Sequence, residues 1–165
     1  MFFRWKRFSE KHSLLVMGPR RAGKSTWLKS EFPDHKYVTL DDLDELGRAN
    51  KDPKHFIESL GPKFIIDEVQ RCPEVTLPIK KLIDEKKIHA VLTGSTGLRI
   101  RDKLADTLAG RIEIASFPPC IFGEDKGPVL HPLDQAPTPK EALAGRRALE
   151  EFMQFGGFPE ILNQT

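Results

Sequence analysis

Gly18-Pro19-Arg20-Arg21-Ala22-Gly23-Lys24-Ser25 carries the chemistry most legible in this chain. It is a complete G-x-x-x-x-G-K-[ST] phosphate-binding loop. Gly18 and Gly23 can adopt backbone angles that other residues avoid, so the loop can wrap closely round phosphate oxygens. Successive backbone N–H groups then form an anion nest. A helix starting near Lys24 adds the positive end of its dipole. Lys24 is expected to reach the terminal phosphates as a point charge. Ser25 offers a hydroxyl oxygen to Mg²⁺, a hard cation that takes oxygen ligands. Thr26 is placed with the loop as a nucleotide contact. Arg20 and Arg21 are included with it, although side chains in the middle of such a loop commonly face solvent.

A second group follows the apolar run Phe64-Ile65-Ile66, in the form of Asp67-Glu68. An acidic residue at the carboxyl end of a parallel strand sits where open α/β sheets bind ligands. Asp67 is assigned to the Mg²⁺ shell and Glu68 to orienting and polarising an attacking water. An acidic pair of this kind favours hydrolysis over small-molecule phosphoryl transfer, because a kinase must exclude water. Thr93 and Ser95 close a later apolar run and could bond the terminal phosphate or its attacking water. The competing reading is ordinary turn chemistry around Gly94. Arg111 precedes another apolar run. It could stabilise charge on a transferring phosphoryl group, in cis or from a neighbouring subunit, or form a structural ion pair.

These groups need strands that end where they begin. Ser13–Met17 predicts a strand feeding the loop, and residues 24–32 a helix that Pro33 stops. Residues 36–40 form a β-branched and aromatic strand, with Asp41-Asp42 at its end. Residues 43–52 read as a loop or weak helix. Asp52-Pro53 looks like a helix start, with Phe56, Ile57 and Leu60 on one face and Gly61-Pro62 as its stop. Further strands are expected at 63–66, 88–92 and 112–115. Helices are expected around Leu77–Ile83 and around Leu98–Leu108. Alternating strands and helices argue for an α/β fold with a parallel sheet. After Phe117-Pro118-Pro119 the texture changes. The expected division is a core over 1–122, a Pro/Gly-rich surface loop over 123–139 and a helical extension over 140–165. That last helix, Pro139 to Phe155, would carry Leu143, Ala148, Leu149, Phe152 and Met153 on an apolar stripe.

Composition excludes several classes. The 165 residues have a formal net charge of +2, which gives no global electrostatic case for nucleic acid. The basic pairs Arg20-Arg21, Lys80-Lys81, Lys86-Lys87 and Arg146-Arg147 are spread, so DNA is the weaker partner class and a solvated surface the better reading. Cys72 and Cys120 make neither a C-x-x-C pair nor a metal cluster, and read as reduced thiols in a cytoplasmic protein. No apolar run approaches the length of a membrane span. The start, Met1-Phe2-Phe3-Arg4-Trp5-Lys6-Arg7-Phe8, lacks the apolar centre of a secretory signal. It suits a short helix laying Phe2, Trp5 and Phe8 on the sheet better than a membrane-surface anchor.

The ordered set of motifs is more specific than any one of them. It comprises Gly18 to Ser25, then Leu40-Asp41-Asp42, then Ile65-Ile66-Asp67-Glu68-Val69-Gln70 with Pro73 beyond. Leu92-Thr93-Gly94-Ser95, Leu108-Ala109-Gly110-Arg111 and Gly156-Gly157-Phe158-Pro159-Glu160 follow. Together they resemble the AAA-type ATPases of bacteria and archaea that carry a C-terminal domain of unknown function. The resemblance implies a P-loop NTPase core of the AAA superfamily, a mostly parallel five-stranded sheet flanked by helices. It implies ATP and Mg²⁺ as cofactors, with Lys24, Ser25, Asp67 and Glu68 in the roles given above. Thr93 or Ser95 takes the sensor position, and Arg111 that of an arginine finger. It also implies chain beyond the Gly-Gly-Phe-Pro motif, so the stop at Thr165 suggests an ATPase module without its effector half.

The expected function is Mg-dependent ATP binding and hydrolysis, with a homo-oligomer or protein partner. The alternative is a nucleotide-dependent switch with little turnover. A small-molecule kinase suits the loop but not the acidic pair and sensor strand. Asn50-Lys51-Asp52 resembles part of a guanine-reading motif, yet its place before Asp67 is wrong for a GTPase.

Overall fold

The fold is taken from a computed structural model, which describes residues 8, 12–95, 107–122, 124 and 138–162. The described residues contain five strands, β1 Ser13–Met17, β2 Lys36–Thr39, β3 Lys63–Asp67, β4 His89–Gly94 and β5 Ile112–Ser116. The helices are α1 Lys24–Glu31, α2 Leu43–Lys51, α3 Pro53–Leu60, α4 Thr76–Asp84, α5 Pro139–Phe155 and the short α6 Pro159–Leu162. Two compact units divide the chain. One comprises residues 8–20 and 24–117 and holds the sheet; the other takes in residues 21–23 and the chain from Pro118 onward.

In the first unit all strands are parallel, in the order β2-β3-β4-β1-β5. The α/β expectation is therefore met. Strands buried on both faces carry a continuous apolar run, and β1, β3 and β4 do, at Leu14–Met17, Phe64–Ile66 and Ala90–Leu92. Leu14, Leu15, Val16, Phe64, Ile65, Ile66, Val91 and Leu92 are completely buried. The helices add Leu28 from α1, Phe56 and Ile57 from α3 and Ile79 from α4. Phe8, the described residue of the aromatic N-terminal run, sets its ring 5.3 Å from that of Trp27 on α1. Phe2 and Trp5 lie outside the described residues.

Residues 43–51 are a full helix, not a loop or weak helix. Asp42 caps it, its carboxylate accepting from the backbone N–H of Asp44 at 2.9 Å and Glu45 at 3.3 Å. A cap of this kind contributes about 1 kcal/mol. Glu45 adds a 2.8 Å ion pair to Arg48, and Ala49 is buried. Asp52 then caps α3, accepting from the His55 N–H at 2.9 Å, with Pro53 in the first turn. Asn50-Lys51-Asp52 thus closes one helix and opens the next, which removes it from guanine recognition. Two short 3₁₀ turns, Val69–Arg71 and Pro73–Val75, precede α4 and have no counterpart in the sequence reading.

In the second unit, α5 opens on a capping box in which the Thr138 N–H donates to the Glu141 carboxylate at 2.8 Å. Gly156 ends it at φ +80°, a left-handed angle that suits glycine. Gly157 has no room for a side chain: a Cβ there would stand 1.8 Å from the Cys120 carbonyl oxygen. The apolar stripe of α5 is present but not buried, with Leu143 52% and Met153 75% exposed. Phe152 meets Phe122 edge to face, 5.7 Å between ring centres. The expected helix around Leu98–Leu108 lies outside the described residues except at Thr107 and Leu108, which are helical. Most of the expected loop over 123–139 lies outside them too. No helix among the described residues is long and apolar enough to cross a membrane.

Candidate functional site

Strand direction decides what the first unit brings together. Because the strands are parallel, whatever follows β1, β3 and β4 gathers at one edge of the sheet, and whatever precedes them gathers at the other. Lys24, Ser25, Asp67, Glu68, Thr93 and Ser95 all follow those strands or lie at their carboxyl ends. The register pairs Val16 with Thr93 and Met17 with Gly94, and Thr39 with Asp67.

Gly18 joins β1 to the loop under tight packing. A Cβ on it would lie 2.0 Å from the carbonyl oxygen of Phe117, whose own N–H donates to the Met17 carbonyl at 2.7 Å. The obstacle is backbone, so it cannot rotate away. Gly18→Ala should therefore destabilise the fold by at least about 2 kcal/mol, read as a lowered midpoint in urea.

Lys24 is 5% exposed, and its ammonium donates to the carbonyls of Gly18 at 3.0 Å and Pro19 at 2.8 Å. An ammonium has three hydrogens, so one remains for an anion. Burial pushes the Lys24 pKa down; the carboxylates of Glu68 and Asp67 oppose the shift without cancelling it. Arg20 is exposed at the same loop. Arg21, Ala22 and Gly23 belong to the second unit. There Arg21, at φ +63°, forms an exposed 3.3 Å ion pair with Glu160. Gly23 takes φ +86°, and a Cβ on it would stand 3.4 Å from Pro159. The Gly-Gly-Phe-Pro-Glu motif thus meets the middle of the loop within that unit.

Asp67 is the most heavily bonded side chain of the site. Its Oδ2 accepts from Ser25 Oγ at 2.6 Å and from the Tyr37 hydroxyl at 2.6 Å. Its Oδ1 accepts from Thr93 Oγ1 and, at 3.2 Å, from the Glu68 N–H. Burial by itself would raise the carboxyl pKa. The hydroxyls of Ser25, Thr93 and Tyr37, with the Lys24 charge, outweigh it and hold Asp67 below the usual carboxylate range. The Tyr37 phenol is pushed far up, first by burial and then by its bond to Asp67, so it stays a donor.

Glu68 takes a left-handed conformation, φ 57° and ψ 43°, that turns its side chain away from the line of β3. Its carboxylate accepts from the Gln70 amide, which also reaches Ser95 Oγ at 3.3 Å. Glu68, Gln70 and Ser95 form one chain of polar contacts between the ends of β3 and β4. Thr93 and Ser95 are therefore used differently: Thr93 on Asp67, Ser95 on the Glu68 side.

Arg111 is not at this edge. It precedes β5, whose Ile112 pairs with Ser13 at the start of β1, so it stands a strand length of about 16 Å from the loop. Its guanidinium donates to Asp84 at 2.7 Å, the ion pair foreseen as one of its readings. It borders a cleft of about 510 Å³ lined also by His12, Lys86, Lys87 and His89. An arginine so placed cannot serve the phosphate loop of its own chain.

Tyr37 and Gln70 are the site residues that sequence reading missed. Only the register of β2 on β3 brings Tyr37 to Asp67. For Gln70 the signal was its spacing two residues beyond Glu68, which permits a local side-chain bond once the chain turns.

A sheet of this strand order, with a phosphate loop after β1 and an acidic pair after β3, defines an α/β P-loop NTPase module. The chain belongs to the AAA domain family, whose model matches residues 10–125. A search among curated proteins found no match.

Proposed function

We propose that the chain binds ATP with Mg²⁺ at the carboxyl edge of its sheet and hydrolyses the β–γ bond. The observation that carries the reading is the convergence of Ser25 from α1 and Thr93 from β4 on the Asp67 carboxylate at the end of β3, beside a loop whose Gly18 carbonyl holds the Lys24 ammonium. The donor set suits a magnesium ion: Ser25 Oγ and Asp67 Oδ2 are 2.6 Å apart and both are oxygen. Ser25 would hold the ion directly and Asp67 through its water shell. Magnesium, when bound, supplies charge neutralisation on the phosphoryl oxygens.

The chain's own groups do the rest. In the first unit the N–H groups of Gly18, Arg20, Lys24 and Ser25 cradle the phosphates, and Thr26 extends the contact at the start of α1. Arg20 adds positive charge beside the loop, and Arg21 keeps its ion pair with Glu160 in the second unit. The third hydrogen of the Lys24 ammonium meets the terminal phosphate. Glu68 takes the proton of the attacking water once it is free of Gln70. Thr93 keeps Asp67 oriented, and Ser95 reports the state of Glu68 through Gln70. Arg111 acts on a neighbouring subunit's nucleotide or on none. Adenine as the base rests on the family, whose AAA domains suggest ATPases in general.

A second reading, a nucleotide-dependent switch with little turnover, is favoured by the engagement of Glu68 with Gln70. Calorimetric titration of ATP with and without MgCl₂ tests the binding step common to both readings. Micromolar binding with Mg²⁺, and weaker but measurable binding without it, is the expected outcome, and no heat under either condition contradicts it.

A further inference from the structure

Asp67 is already saturated. An ionised carboxylate has about four acceptor positions. All four are taken, by Ser25, Tyr37, Thr93 and the Glu68 N–H. A water in a magnesium shell can bond Asp67 only if one of these donors leaves. Ser25 can keep its proton on Oδ2 while its lone pairs face a cation. The Glu68 N–H is backbone and moves only with the chain. Thr93 is fully buried in the middle of the sheet. Tyr37 differs from all three. It projects from the edge strand β2, is half-buried, and shares Oδ2 with Ser25. Its ring is held from the α1 side by the Lys29 ammonium, 3.8 Å from the ring centre.

We infer that Tyr37 is a positioning residue for the cation site: its hydroxyl occupies the Asp67 acceptor position that hydrated magnesium needs, and yields it when Mg-nucleotide binds. The inference rests on the proposed assignment of Ser25 and Asp67 to magnesium. In the cation-free state Tyr37 holds the carboxylate in one rotamer and stabilises its charge. In the loaded state its place on Oδ2 goes to the ion's water shell. Tyr37 thus sets the magnesium concentration at which the site fills, without touching nucleotide.

Tyr37→Phe removes the hydroxyl and keeps the ring under Lys29. The variant should half-saturate with ATP at about tenfold lower MgCl₂ than the parent, the size of one hydrogen bond to an ionised group. ATP affinity in EDTA should be the same for both. A merely structural tyrosine would shift the two conditions alike. The chain has a single tyrosine, so 3-fluorotyrosine labelling gives one ¹⁹F resonance. That resonance should stay in place with ATP and EDTA and move when MgCl₂ is added.

An unchanged or raised magnesium requirement in Tyr37→Phe overturns the inference, as does a ¹⁹F shift that is absent or equally large in EDTA. Should the variant fail to fold, the ¹⁹F measurement on the parent decides alone. If the parent binds no ATP under any condition, the loop assignment falls and this inference with it. If the parent binds more tightly with magnesium and the variant matches it, this inference alone falls.

Discussion

Lys24→Ala abolishes measurable ATP binding, weakening it by at least about a hundredfold, or roughly 3 kcal/mol. Three effects add. The terminal phosphate loses its charge-assisted bond. The carbonyls of Gly18 and Pro19 lose the ammonium that ties them at 3.0 and 2.8 Å, so the loop is no longer pre-shaped. Asp67 and Glu68 also lose the nearest positive charge opposing them, which makes the pocket hostile to a polyphosphate. Lys24→Met separates these causes, because it fills the buried space without the charge. It should bind as poorly as alanine while unfolding closer to the parent temperature. Calorimetry for binding and a thermal melt for stability provide the check. Parent-like ATP affinity in Lys24→Met would contradict the role assigned to the ammonium.

Glu68→Gln retains Mg-ATP and loses turnover, with kcat falling about 10²- to 10⁴-fold, the range of a removed general base. Affinity should change less than about threefold, because Glu68 faces the water and not the phosphates in the proposed arrangement. The substitution is nearly isosteric, and an amide can still bond Gln70, so the αL turn at Glu68 should persist. Single-turnover phosphate release separates chemistry from product release. Unchanged kcat in this variant would place the base elsewhere.

The sheet and the loop were legible because a few local rules act over short distances. Continuous apolar runs fixed β1, β3 and β4, and Asp52-Pro53 marked the start of α3. Helix α2 was hidden by its own surface. Only Leu46 and Ala49 turn inward, Leu43 being exposed; charged residues outnumber them, Gly47 interrupts them, and the cap at Asp42 does what composition disfavours. The 3₁₀ turns over 69–75 follow from the left-handed Glu68, which no residue type announces.

The site divides in the same way. Ser25, Asp67 and Thr93, which the structure joins by hydrogen bonds, could be singled out because motif and strand end coincide in sequence. Tyr37 was not, because its partner lies 30 residues away and depends on strand register. For Arg111 the sequence left an ion pair and a phosphate contact open, and the ion pair, to Asp84, is the one formed. Its motif suggested a phosphate contact, but a residue just before a parallel strand must lie at the edge opposite a loop that follows one. That deduction was available from the sequence pattern alone, and it removes Arg111 from the phosphate loop of its own chain. The stripe on α5 was read correctly as apolar, while periodicity carries no information on what covers it.

The most direct test of the account is phosphate release from Mg-ATP over a wide range of protein concentration, with Glu68→Gln alongside. The account predicts release that vanishes in the variant and, if Arg111 completes a neighbour's site, a rate per subunit that rises with concentration. Release from the parent no faster than from Glu68→Gln at every concentration would contradict hydrolysis at this site.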